Sequence, residues 1–204
     1  GYLKRLREIC DKHGILLVFD EVITGLGRTG KAFAAQSFEV KPDLITMAKA
    51  LTNGAIPMGA VAVDEAVYDT VINASKGGGP ELFHGYTYSG HPVACAAALA
   101  SLDIYRNEDL FNKGAQLSPY FLESLSGLKG LAQVSDLRGY GLLSGIQLTP
   151  GDVPGAKGAR VQRALYDAGL HVKTTGDAII FAPALVTGRA DLDAMFGVLK
   201  ATLG

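Results

Sequence analysis

The stretch Gly14 to Gly30, GILLVFDEVITGLGRTG, constrains this chain more than any other. Five apolar residues, Ile15 to Phe19, run without alternation into two acids, Asp20 and Glu21. An unalternating run of that length, bounded by Gly14 and Gly25, reads as a strand buried on both faces. The C-terminal ends of such strands are where an open α/β sheet places its ligand crevice. Asp20 is therefore expected at a strand tip, where burial gives way to a binding site. A second candidate strand, Leu44 to Ala48, delivers Lys49 to the same edge if the two strands run parallel. A carboxylate and an amine so placed form an ordinary ion pair, or they serve a ligand that needs both.

Pyridoxal 5'-phosphate is such a ligand. Its aldehyde requires an amine for a Schiff base, and its ring nitrogen requires an acid that keeps it protonated and electron-withdrawing. A competing reading comes from the loop Thr24 to Gly30, which matches G-x-G-x-x-G at Gly25, Gly27 and Gly30 and follows a strand. Dinucleotide binding fails there on two counts. Asp20 and Glu21 would stand close to the incoming pyrophosphate, and no acid ends a second strand about 20 residues further on. Asp43 starts its strand instead of ending it. Arg28, in the same loop, is expected to pair with Glu21 or to approach an anion.

The wording around the pair is more specific than the pair itself. Phe19 to Gly30 (FDEVITGLGRTG), Pro42 to Ala50 (PDLITMAKA), Asn53-Gly54, Pro57 to Ala60 (PMGA) and His84 to Pro92 (HGYTYSGHP) occur in order. Together they closely resemble the class III (ω-amino acid) aminotransferases of fold type I, especially the β-alanine–pyruvate or ω-amino acid–pyruvate group. The resemblance spans essentially the whole chain.

Composition agrees with a well-buried globular protein: 48% of residues are hydrophobic and 19% charged. Nineteen basic against twenty acidic residues give a net charge of -1, so nothing favours nucleic acid or an anionic membrane surface. The apolar runs are too short to span a bilayer, and no signal-peptide pattern opens the chain. Cys10 and Cys95 form neither a metal spacing nor a disulfide framework, and four scattered histidines suggest no metal site. A cytoplasmic enzyme fits.

In chain order, a first helix spans Tyr2 to Lys12, with Leu3, Leu6, Ile9 and Cys10 on one side and a cap at Gly14. A loop or short helix covers Lys31 to Val40. Asn53-Gly54 marks a turn, Pro57 to Val63 a strand, and Asp64 to Asn73 a helix. The stretch Lys76-Gly-Gly-Gly-Pro80 reads as a linker or as a loop crossing to another subunit. Pro92 fits the first turn of a helix that carries Val93, Ala97, Ala100 and Ile104 on one face. Asn107 is expected to start another helix, kinked at Pro119. Strands follow over Val134 to Leu148, a helix over Lys157 to Ala168, short strands at His171 to Lys173 and Ala178 to Phe181, and a final helix with Leu192, Met195, Phe196 and Leu199 in register.

The expected architecture is α/β, a PLP-dependent transferase of fold type I. Residues 1–105 would form the C-terminal part of its large cofactor domain, and 106–204 the C-terminal part of its small domain. The resemblance implies that Lys49 holds the cofactor and Asp20 its ring nitrogen, with Val22 packed under the ring. It puts a phosphate contact of the neighbouring subunit on Thr87, with the Tyr86 backbone beside it; without the motif, Thr87 would read as a turn residue. The implied reaction transfers an amino group from an ω-amino acid or amine to pyruvate, by a ping-pong route, in a homodimer or tetramer with shared sites. Where relatives acting on carboxylates often carry Arg, this chain has Lys173, which can neutralise a carboxylate but lacks the planar fork; it can equally point to solvent. A glycine-rich phosphate turn and a stacking aromatic belong to an N-terminal half not seen here, and a separate chain is one way to supply it. An aminomutase or racemase would share Lys49 and Asp20, and a non-catalytic α/β fragment is the remaining alternative.

Overall fold

A computed structural model describes residues 1–74 and 85–204. The Lys76 to Pro80 stretch, Phe83 and His84 lie outside the described residues. The chain divides into two compact units, one of Gly1–Leu26 with Lys31–Asp109 and one of Gly27–Gly30 with Leu110–Gly204.

The first unit is organised by a three-stranded sheet. Helix α1 (Tyr2–His13) stops at Gly14, whose φ of 62° is the left-handed conformation that glycine adopts without a Cβ penalty. Its apolar side brings Leu3, Leu6 and Cys10 against Leu17, Phe19 and Val40. The chain then enters β1 (Val18–Asp20), which pairs in parallel with β2 (Leu44–Met47). Strand β3 (Ala60–Val63) closes the other side of β2, antiparallel. The short helix α2 (Ala34–Ser37) lies between β1 and β2 in sequence, and α3 (Glu65–Ala74) follows β3.

The expected burial of the Ile15 to Phe19 run on both faces is not observed. Leu17 is buried, whereas Ile15, Leu16 and Val18 are about half exposed. The physical reason is position: β1 is an edge of this sheet, and among the described residues only one of its faces is packed. Helix α4 (Pro92–Asn107) also turns a different face inward from the one expected. Ala94, Ala98, Ser101 and Tyr105 are buried, while Val93 and Ile104 are exposed. Small residues and a hydroxyl-bearing ring make the contact, so hydrophobicity alone picks the wrong stripe. Pro92 does occupy the first turn. Asn107 ends α4 and does not begin the next helix; Asp109, at φ 53°, breaks the run.

The second unit has α5 (Leu110–Ser126), an antiparallel sheet and two further helices. The sheet strands β4 (Val134–Tyr140), β5 (Leu143–Leu148), β6 (Lys173–Thr175) and β7 (Ala178–Phe181) lie in the order β4-β5-β7-β6. Helices α6 (Ala156–Asp167) and α7 (Arg189–Leu203) join α5 around a core that includes Phe121, Ile146, Leu165, Ile179 and Leu199. Pro119 is accommodated inside α5. Residues His171 and Val172 precede β6 and are not part of it.

Acids anchor the starts of several elements by accepting backbone amides. In the first unit the Asp43 carboxylate takes the Leu17 N–H at 2.6 Å and an Arg7 guanidinium N–H at 2.8 Å. Arg7 also reaches Asp11 at 2.8 Å. The Leu17 amide, and then Arg7, hold the Asp43 carboxyl below its ordinary pKa. A carboxyl depressed by folding contributes stability above its unfolded pKa, and that contribution disappears as pH falls through the folded value. We predict that Asp43→Asn lowers stability by about 1 kcal/mol at neutral pH. The difference from wild type should start to shrink as pH falls below about 4 and should vanish only below the depressed folded value. Thermal melts of both proteins across that range provide the measurement, and a gap that persists into acid would mean that Asp43 acts through shape and not charge.

Candidate active site

The parallel register sets the geometry of the candidate site. Asp20 lies opposite Thr46, Phe19 opposite Ile45 and Val18 opposite Leu44. The Glu21 N–H continues the ladder by donating to the Thr46 carbonyl at 3.0 Å. Both strands end at the same edge, so Asp20 and the residues after Met47 leave the sheet together.

At that edge the Asp20 Oδ1 accepts the Val22 N–H at 3.0 Å and the Thr46 hydroxyl at 3.4 Å. Its other oxygen, Oδ2, has no hydrogen-bond partner among the described residues, and the side chain is exposed. The sequence did not single out Thr46; only the register shows that its hydroxyl faces the acid. Val22 lies in the turn beyond β1 and not within it, so strand alternation does not set its direction.

Lys49 is not the last residue of its strand. Strand β2 ends at Met47, and Lys49 opens a single 3₁₀ turn, Lys49–Leu51. Its φ is 44°, in the left-handed region. A non-glycine residue held there costs on the order of 1–3 kcal/mol, a strain that concentrates at functional positions. Lys49 and Asp20 form no ion pair with each other, so the bland reading of the two groups does not describe this geometry.

Glu21, next to Asp20, is 2% exposed and has a different task. Its carboxylate accepts the Ala34 and Ala35 N–H groups, each at 2.8 Å, and the Thr24 hydroxyl at 2.7 Å. Two adjacent acids thus divide: one faces outward, and its neighbour ties the following loop to the start of α2. Within the second unit, Arg28 donates to the carbonyls of Leu142 and Pro183.

The remaining candidates are placed as follows. Tyr86 and Thr87 precede α4 in an exposed turn, in which the Tyr86 N–H donates to the Ser89 hydroxyl at 3.2 Å. Lys173 is the exposed first residue of β6, paired with Ile180. Gln162 holds the residues on either side of it, donating to the Val172 carbonyl at 3.1 Å and accepting from the Thr174 hydroxyl at 2.6 Å. Asp177, in the Thr174-Thr-Gly-Asp177 run, is structural. It accepts the Gly158 N–H at 2.8 Å and the Gly155 N–H at 3.1 Å at the start of α6, and these amides hold its carboxyl below the ordinary value.

The donor set fits pyridoxal phosphate. One amine stands on a strained backbone, and one carboxylate has an oxygen left open, at a common edge of two parallel strands.

Comparison with known proteins agrees. The family described as aminotransferase class-III matches residues 1–203. The chain is 48% identical over its full length to the omega-aminotransferase of Caulobacter vibrioides, covering 46% of that protein. It is 46% identical to the beta-alanine–pyruvate aminotransferase of Pseudomonas aeruginosa, with the same coverage of each. A solved amine transaminase from an uncultivated Pseudomonas species, in its PLP-bound form, is 40% identical with a TM-score of 0.90, over 99% of this chain and 47% of that one. The chain spans about half the length of the curated relatives that it matches. It belongs to the class III aminotransferases, with the α/β architecture of PLP-dependent fold type I.

Proposed function

We propose that this chain carries the lysine-and-acid half of an aminotransferase site. The enzyme would move an amino group from an ω-amino acid such as β-alanine, or from an amine, to pyruvate in two half-reactions. The observation that carries this reading is the common edge of β1 and β2, where Asp20 and the strained Lys49 leave the sheet without pairing with each other. The name of the Pseudomonas aeruginosa relative supports β-alanine and pyruvate.

When bound, pyridoxal phosphate supplies an electron-poor ring that takes up the electron pair left on a carbon losing its proton. The chain's residues do the rest. The Lys49 Nζ is the amine that would hold the cofactor covalently. When free, the same amine would serve as the base that carries a proton from the donor's amine-bearing carbon. Asp20, through its open Oδ2, would hold a proton on the ring nitrogen in a charge-assisted hydrogen bond. The Thr46 hydroxyl and the Val22 N–H fix the orientation of that carboxylate. Val22 would lend an apolar surface to the ring. On this reading residues 1–105 belong to the large cofactor domain and 106–204 to the small domain. The Tyr86–Thr87 turn serves the phosphate of a neighbouring subunit, and Lys173 receives the substrate carboxylate.

Borohydride reduction of the assembled enzyme, followed by peptide mapping, should place the pyridoxyl adduct on Lys49. Asp20→Asn should retain that adduct yet slow amino transfer from β-alanine to pyruvate by roughly a hundredfold. Near-normal turnover would mean that another group protonates the ring. Consumption of the keto acid in step with the donor separates this reaction from a mutase or racemase.

Lys173→Ala is expected to raise KM for β-alanine and pyruvate by roughly tenfold while sparing uncharged amines. Equal loss for a plain aliphatic amine would instead assign Lys173 to the fold.

If Thr87 serves a neighbouring site, the working unit is at least a two-fold dimer. Mixing Thr87→Ala with Lys49→Ala subunits should then regenerate activity, because one class of hybrid site holds both intact residues. No recovery would place Thr87 in its own subunit's site.

A further inference from the structure

We infer that Tyr105 is a positioning residue for Lys49: its buried hydroxyl holds the carbonyl of the next residue, and with it the left-handed turn that presents the lysine. The inference rests on Lys49 being the cofactor-bearing amine.

Two non-glycine residues with positive φ, Lys49 at 44° and Asn53 at 51°, bracket three residues. Asparagine tolerates that conformation because its short amide bonds locally, whereas lysine has no such aid. Something outside the turn must therefore hold Lys49 in place. Within the turn, the Leu51 N–H donates to the Ala48 carbonyl at 3.0 Å, and the Thr52 N–H to the Lys49 carbonyl at a longer 3.3 Å. A single 3₁₀ turn with such bonds does not enforce a left-handed lysine.

The external hold comes from α4. Tyr105 is 5% exposed, and its hydroxyl donates to the Ala50 carbonyl at 2.6 Å, one peptide beyond Lys49. The same hydroxyl lies 3.1 Å from the Asn53 Oδ1. One turn earlier on the helix, Ser101 is 7% exposed and meets the Asn53 side-chain amide at 3.4 Å. The Tyr105 and Ser101 hydroxyls, one turn apart on the same helix, thus hold the two ends of the turn. From the other side, the buried Thr52 hydroxyl donates to the Ile56 carbonyl at 2.7 Å. These contacts explain why α4 packs through Ser101 and Tyr105 and leaves its more apolar stripe outside.

A hydroxyl that only added stability would leave the chemistry of Lys49 unchanged. A hydroxyl that orients the Ala50 peptide fixes the direction in which the Lys49 side chain leaves the backbone. It also fixes the strain on the link between Lys49 and the cofactor. Removing it should therefore change the protonation of that link and the rate at which the lysine amine returns to it.

The test is Tyr105→Phe, which keeps the ring in the core, in the assembled holoenzyme. Tyr120→Phe, which removes the hydroxyl bonded to Asp193 in the second unit, is the stability control. Tyr105→Phe should shift the pH at which the visible absorbance of the bound cofactor titrates, and the control should not. It should also slow covalent loading of apoenzyme and lower kcat, each about threefold to tenfold, with KM nearly unchanged. An unshifted titration with normal loading and kcat, beside a lowered Tm, would overturn the proposal and leave Tyr105 structural. Borohydride mapping on wild type keeps the two readings apart. An adduct on a lysine other than Lys49 defeats both, whereas an adduct on Lys49 with an unchanged Tyr105→Phe spectrum defeats only this one.

Discussion

The parallel pairing of β1 with β2 is the constraint on which the candidate site depends. Parallel strands run their C-terminal ends to one edge, so a residue after β1 and a residue after β2 emerge side by side without any contact between their side chains. The ladder bond from the Glu21 N–H to the Thr46 carbonyl extends this pairing one step past the acid. A slip of one residue would turn Asp20 to the opposite face and bring Glu21 forward in its place. Glu21 guards against that slip. Its carboxylate is committed to the Ala34 and Ala35 amides, and leaving them would strand buried donors at a cost of about 1–3 kcal/mol. Adjacent acids of nearly identical chemistry are told apart by what each finds to bind.

The same device recurs away from the site. Asp43 receives the amide that leads into β1, and Asp177 receives two amides at the start of α6. In each case an ionised side chain takes the unpaired donors at the beginning of an element, where regular structure has no partner for them. Glycine supplies the complementary freedom. Gly158 sits so close to the Gly176 carbonyl that any Cβ would collide with it, and that closeness lets the amides of α6 reach Asp177. Such anchors place strand and helix starts to within a hydrogen bond, which apolar packing alone does not do.

What was legible in the sequence follows from these facts. The cap at Gly14, Pro92 at a helix start and the periodic final helix are local signals found where local physics puts them, whereas the run into Asp20 forms a strand only from Val18. The parallel relation of the Asp20 and Lys49 strands was stated as a condition and is met. The errors share a different character. Burial of Ile15, Leu16 and Val18 depends on where β1 stands in the sheet, which no window of sequence contains. The inward face of α4 was misread because Ser101 and Tyr105 pack through hydroxyls that hydropathy counts as surface. Thr46, Gln162 and Tyr105 were passed over for a related reason: each matters only through a partner tens of residues away or in another element. The left-handed backbone of Lys49 had no signal at all, since lysine is among the residues least expected there.

The edge position of β1 has a consequence for how this molecule comes into being. Asp20 is carried on a strand whose outer side has no partner in the sheet order of the described residues. An edge strand of three residues is free to fray, and its register is only as firm as the one neighbour that holds it. Any strand that later pairs with that outer side would stiffen the carboxylate at the same moment as it completes the sheet. On the proposed reading, cofactor retention would then act as a proofreading signal for assembly: an incomplete sheet would hold the acid loosely and retain the cofactor weakly, and a closed sheet would retain it tightly.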